Sequence, residues 1–184
     1  MEGRVDRPYR RNANNYGWGA GIAYTLSWAY AEGSDLFSFP TIVSNFNAKH
    51  PIPDDQRHRV VVNWVTDLPF AFGIQFSGVL TVASGKPFKK LQQSGVAGQA
   101  ANFGYDRGPT FKNVDLRLRK DFPNFAGTRL GITGDLFNVF NTQNLGGFND
   151  TFIKDNGQPN PDYGKAGEVV SDPRRFQIGF QYDF

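Results

Sequence analysis

The sequence predicts an all-β chain: an antiparallel transmembrane β-barrel segment of about six long strands. Three observations predict it. Large apolar residues alternate with small or polar ones over stretches of ten or more residues, the period of a strand with two unlike faces. The 184 residues include 18 Phe, 7 Tyr, 3 Trp and 21 Gly, yet hydrophobic residues make up only 39%. A chain poor in apolar residues but rich in aromatics suits an outward apolar band better than a packed interior. Third, the links between the alternating stretches are by turns short and long.

Each strand reads off in order. Residues 18–31 place Trp18, Ala20, Ile22, Tyr24, Leu26, Trp28 and Tyr30 on one face and Gly19, Gly21, Ala23, Thr25, Ser27, Ala29 and Ala31 on the other. Soluble strands usually run five or six residues, whereas bilayer strands need about 9–11 and carry aromatics near the water interfaces. The second strand, about 57–66, sets His58, Val60, Val62 and Trp64 against Arg59, Val61, Asn63 and Val65; Asp67-Leu68-Pro69 turns the chain. The third, 70–84, sets Phe70, Phe72, Ile74, Phe76, Gly78, Leu80 and Val82 against Ala71, Gly73, Gln75, Ser77, Val79, Thr81 and Ala83. The fourth, 113–122, alternates Val114, Leu116 and Leu118 with Asp115, Arg117 and Arg119, and charges on one face need water or partner charges there. A turn at 123–127 leads to the fifth strand, 128 to about 140, with Leu130, Ile132 and Leu136 on one face and Asp135 opposite. The sixth, 174–184, alternates Arg174, Phe176, Ile178, Phe180, Tyr182 and Phe184 with Arg175, Gln177, Gly179, Gln181 and Asp183.

The links at 67–69 and 123–127 are short; those at 32–56, 85–112 and 141–173 are long and rich in Gly, Asn, Asp and Pro, residues of turns and solvated coil. Long loops are rare in compact domains, whereas transmembrane barrels pair short periplasmic turns with longer extracellular loops. The C-terminus then falls on the periplasmic side. Six strands cannot close a barrel, and bare strand edges in lipid cost several kcal/mol per group. The polar N-terminus carries no leader pattern. One expectation covers both deficits: residues 1–184 are the end of a longer barrel.

The chain resembles the C-terminal end of TonB-dependent receptors, particularly the Oar-like subgroup with a carboxypeptidase-regulatory-like N-terminal domain. The stretches that carry the resemblance occur in order: 23–28, 55–60 with 67–70, 83–88, 114–122, 135–141 with Asn144, and the terminal Phe184. The resemblance implies a 22-stranded barrel around a plug, an outer-membrane location in a Gram-negative bacterium, and TonB-energised nutrient uptake. On that view TonB is met only through a missing N-terminal region. It also implies that the last strand (Phe176, Ile178, Phe180, Tyr182 and Phe184) is the signal read by the barrel-assembly machinery.

Other chemistry finds little support. With no cysteine there is no disulfide or thiolate site, and a net charge of +3 without a basic block gives no sign of nucleic acid as partner. Gly17-Trp18-Gly19-Ala20-Gly21 opens a strand rather than a helix, so it reads as room inside a barrel or for close backbone approach, not as a phosphate loop. His50 and His58 near Asp54 and Asp55 read as loop polarity rather than a metal site, and Asn149-Asp150-Thr151 as a chance glycosylation pattern. No catalytic, cofactor-binding or metal set is predicted. Asp115, Arg117, Arg119 and Asp121 are expected to face the lumen in charge networks, and outer-membrane lipid is the expected surround. The rival readings are a soluble or surface-exposed all-β binding module and a small self-assembling porin. The nutrient is not legible.

Overall fold

The computed structural model describes residues 1–12, 16–31, 49–68, 73–92, 102–125 and 128–183. Seven strands form one antiparallel sheet: β1 (Glu2–Arg11), β2 (Gly17–Leu26), β5 (His58–Leu68), β6 (Ile74–Ala83), β9 (Phe111–Phe125), β10 (Thr128–Phe137) and β14 (Arg175–Asp183), in that order across the sheet. Each pairs with its sequence neighbour in the sheet, the simple meander of barrel walls. They are 9–15 residues long, the length that crosses a bilayer.

The six expected strands are joined by a seventh. β1 lies in the N-terminal stretch read above simply as polar. It pairs with β2 from Glu2↔Thr25 to Arg11↔Gly17, with a bulge between Arg7 and Arg10 at Pro8, which has no N–H to give a ladder. Its link to β2 is short, so the alternation of short and long links extends over the whole sheet.

The registers bring the separately read faces together. Along one row lie Tyr24, Val60, Val82 and Lys112; along the next, Ile22, Val62, Leu80 and Val114; along another, Leu116, Leu136 and Phe176. A one-residue slip in any pair would put one strand's greasy side among the others' charges. Every strand is in phase, so one surface of the sheet is apolar and the other polar.

That apolar surface is bare. Phe176, Ile178 and Phe180 are 65%, 55% and 73% exposed, while Ala83 and Pro87 are the only apolar side chains buried among the described residues. A soluble sandwich or barrel would bury such side chains against a second layer. Here the buried side chains are instead Asp55, Asp67, Asp135, Asn138 and Asn144. The apolar surface has its own local packing. The Trp64 ring lies across Gly78, where an added Cβ would come within 2.3 Å of it, and it also meets Phe76 at 6.2 Å.

The long links hold more structure than turns and coil. β7 (Pro87–Gln92) and β8 (Asn102–Arg107) form a hairpin, with β12 (Thr151–Ile153) added in parallel to β7. β11 (Leu145–Phe148) pairs with β13 (Ala166–Val169), and β3 (Tyr30–Ala31) with β4 (His50–Pro51). All gather at one end of the sheet as an outer lobe. The short links lie at the opposite end. Asp67 and Leu68 stay in β5 and β6 begins at Ile74, so the first short link falls at 69–73 rather than 67–69; β9 runs on to Phe125 and β10 begins at Thr128, so the second is shorter than the sequence suggests. The start of the expected third strand, 70–72, lies outside the described residues.

Gly78→Val sets a branched side chain where the Trp64 ring lies. Overpacking of this kind costs roughly 1–3 kcal/mol, and the expected outcome is a reduced fraction of folded, heat-modifiable protein in membranes. Gly3, with open space around it, is the control: Gly3→Ala leaves that fraction unchanged.

Candidate functional site: the polar face and the outer lobe

The polar face is built from charges that alternate with the apolar side chains of the same strands. Asp115, Arg117, Arg119 and Asp121 occupy successive polar-face positions of β9. Arg117 lies directly across from Asp135 of β10 and grips its carboxylate with two donors, Nε on Oδ1 and Nη2 on Oδ2 at 3.1 Å. Arg119 holds Asp121 through Nε at 2.9 Å and reaches Gln181 of β14 at 3.2 Å. These bonds tie β9, β10 and β14 together on one side. Asp135 is almost wholly buried, so loss of Arg117 would strand a desolvated charge.

A second network, missed in the sequence, sits at the short-link end. Asp67 of β5 accepts hydrogen bonds from the Tyr9 hydroxyl, from Arg11 Nε at 3.2 Å and from Gln75 Nε2 at 3.3 Å. Tyr9 reaches Asp67 by crossing β2, and the glycines of 17–21 make the crossing possible. A Cβ on Gly19 would meet the Tyr9 backbone at 2.6 Å, and one on Gly21 would meet Asp6 Oδ1 at 2.4 Å. The glycine run thus gives room for close approach.

Where β10 ends, asparagines replace backbone partners. Asn138 and Asn141 adopt φ of 48° and 50°, a region Asn tolerates better than most residues. The Asn138 side chain accepts from Thr142 N–H at 2.8 Å and donates to the carbonyls of Thr142 at 3.0 Å and Asp172 at 2.8 Å. Its own N–H donates to Asp115 Oδ1 at 2.8 Å, which gives Asp115 a structural task at the rim. Asn144 pairs with both backbone groups of Lys112, at 2.8 and 2.9 Å, as a neighbouring strand would. Asn141 Oδ1 accepts from Arg174 N–H at 3.0 Å, where β14 begins.

Asp55 fastens the lobe to the sheet. It is 1% exposed. It binds Arg107 of β8, accepts from Ala29 N–H at 3.1 Å, and has Arg57 at 3.6 Å. Arg107 also donates to the carbonyls of Asp55 at 2.6 Å and Gly85 at 3.1 Å. Burial pushes the Asp55 pKa up, but the bonds from Arg107 and Ala29 and the charges of Arg107 and Arg57 outweigh it, leaving the carboxyl below its ordinary value.

Farther out, Phe88 stacks on Phe148 at 5.0 Å and tilts against Tyr163 at 5.6 Å, while Lys90 sits 4.4 Å from the Phe152 ring centre. The Tyr163 hydroxyl donates to Asp106 at 2.7 Å. Burial, then that bond and the Asp106 charge, hold the phenol protonated far above neutral pH. At the lobe's root a cavity of about 340 Å³ opens between Ser84–Phe88, Phe111, β11 and β13.

The remaining expected residues are placed as follows. Phe176, Ile178, Phe180 and Tyr182 lie on the apolar face of β14, at the sheet's edge; Phe184 lies outside the described residues, as does the side chain of His50. His58 Nδ1 shares a hydrogen bond with the Tyr24 hydroxyl at 2.8 Å, and Asp55 is taken up by arginines. Asn149 Oδ1 accepts from Thr151 N–H at 3.0 Å in a local turn.

Because the folded Asp55 carboxyl titrates below its ordinary value of 3.8, its contribution is full above that pH and is lost as pH falls through the lower folded value. Limited proteolysis of the full-length protein in detergent checks this. The lobe resists cleavage at neutral pH and opens in strong acid. Asp55→Asn, which leaves two arginines without their counter-charge, opens it at neutral pH, with a local loss of about 3 kcal/mol.

A sequence model of a family described as an outer membrane beta barrel domain matches residues 90–177, from β7 to the start of β14. No curated protein and no solved structure matches the chain. An all-β antiparallel sheet with a bare apolar face, together with that match, makes the chain an outer-membrane β-barrel protein, located in the outer membrane of a Gram-negative bacterium.

Proposed function

We propose that residues 1–184 are the C-terminal wall of a TonB-dependent receptor that takes up a nutrient, its polar face lining the lumen and its lobe forming part of the outer vestibule. The observation that carries this reading is where the resembling stretches fall. Asp55 and Gly85 meet at Arg107; Asp115 and Asn138 bond to each other; Asn144 binds Lys112. The ordered series thus has one task, joining a wall of long strands to a structured outer lobe. A receptor that selects cargo outside and passes it through a lumen needs such a joint.

The sheet's edges support the same reading. Among the described residues β1 and β14 each pair with one neighbour in the sheet. In lipid, each bare N–H or C=O costs several kcal/mol, so further strands must cover both edges. Transporters of this size class close with 22 strands around a plugged lumen, which leaves about fifteen to be supplied. The rival reading, a soluble all-β binding module, has to cover the bare apolar face, and no described element does so.

Reading the gene upstream of the Met1 codon tests the proposal. A frame that continues through a plug and about fifteen more alternating strands supports it; a stop codon and ribosome-binding site just before Met1 overturn it. In the complete protein, Phe184→Ala removes the last apolar position of the assembly strand. The expected outcome is a several-fold fall in outer-membrane level by quantitative immunoblot. Normal levels would remove the assembly role.

A further inference from the structure

We propose that the cavity at the root of the lobe binds a small ligand that joins an ammonium group to an apolar, ring-bearing body. The inference rests on the uptake reading for its meaning, since a vestibule pocket is where cargo would first be held.

The walls set the apolar half. Phe111 rises from the polar face of β9, Phe88 and Phe148 stack on each other, and Pro87, Leu145 and Val170 complete the lining. At about 340 Å³ the space lies near the small end of ligand pockets, enough for one ring with a short chain. Flat aromatic walls favour a ring, which stacks on them with little ordering cost.

The charges set the polar half. Among the described residues, three ionisable groups line the cavity: Asp54, Lys86 and Glu168. Asp54 and Lys86 are paired with each other at 2.7 Å. Glu168 has no ion pair or side-chain hydrogen bond among the described residues, and its Oε1 lies 3.4 Å from where a Cβ of Gly146 or Gly147 would sit. Two glycines therefore leave this carboxylate room at the mouth of an apolar cavity. The unbalanced charge is negative, so the complementary head group is a cation. Lys90 already shows a cation against the neighbouring rings, 4.4 Å from Phe152 and 5.7 Å from Tyr163. Its own counter-ion is Asp106 at 3.6 Å, so it leaves Glu168 free.

The test uses the full-length protein in detergent at low salt and three probes of one size: phenethylamine, 2-phenylethanol and phenylacetate. Ligand-observed NMR titration reads the affinities. The expected order is amine, then alcohol, then carboxylate, with a roughly twofold to fivefold preference for the amine over the alcohol, the worth of one exposed ion pair. Glu168→Gln, an exposed and isosteric change, is expected to level amine and alcohol while leaving the alcohol's affinity unchanged. Asp155→Asn, an acidic lobe residue away from the cavity, keeps the preference. No saturable binding of any probe up to about 10 mM, a generous ceiling for so small a ligand, overturns the proposal. So does a preference that survives Glu168→Gln. Cells supply the separate arm. Glu168-dependent binding without TonB-dependent uptake of the amine upholds this inference and overturns the uptake reading; uptake without Glu168-dependent selectivity does the reverse.

Discussion

A β-strand in an apolar medium must give every backbone N–H and C=O to a neighbour, because no solvent there will take them. That demand shapes this chain. It forces long strands into an unbroken antiparallel ladder, with β9 reaching from Phe111 to Phe125 between two full-length partners. Once the ladder exists, the pleat divides each strand's side chains between two surfaces. The apolar set meets lipid. The polar set, unable to stay there, collects on the other side.

The polar side then needs its own order. Charges that lie close together in a partly dry space are stable only when paired and hydrogen-bonded. Arg117 with Asp135, and Arg11, Tyr9 and Gln75 with Asp67, satisfy this on neighbouring rows of the face. The same logic governs the rim. Chain that leaves the sheet loses its ladder partners, and Asn138, Asn144 and Asp55 supply replacements through their side chains. The lobe is therefore an extension of the sheet rather than a set of free loops, and its root leaves a cavity with one unbalanced carboxylate.

How much of this was legible follows from how local each signal is. The two faces of β2, β6, β9 and β14 were readable because period-two alternation is written within one strand. β1 escaped because its apolar-face positions, Gly3, Val5 and Arg7, include only one greasy residue. Val5 sits opposite Ile22, and Arg7 covers the Trp18 ring at 3.4 Å, so the strand is legible only beside β2. The lobe strands were hidden for a similar reason. β12 pairs in parallel with β7 from far along the chain, and short Gly-rich pieces such as β11 carry no alternation of their own. For the site, the charges of β9 were visible as Asp and Arg alternating with Leu and Val. Their partners were not, since Asp135 meets Arg117 only through register. Asp55 looked like one of two adjacent loop acids, and only the meeting of two distant links shows it as buried and Asp54 as exposed.

The division of the sheet into a lipid face and a polar face is the central claim, and spin-label accessibility tests it most directly. The chain has no native cysteine, so single cysteines at positions 176 to 181 of the complete protein in bilayers can each carry one label. The account predicts strict alternation: labels at 176, 178 and 180 favour dissolved oxygen, and those at 177, 179 and 181 favour a water-soluble nickel complex or become immobilised. Equal water access at all six positions, or burial of 176, 178 and 180 away from both oxygen and nickel, would contradict it.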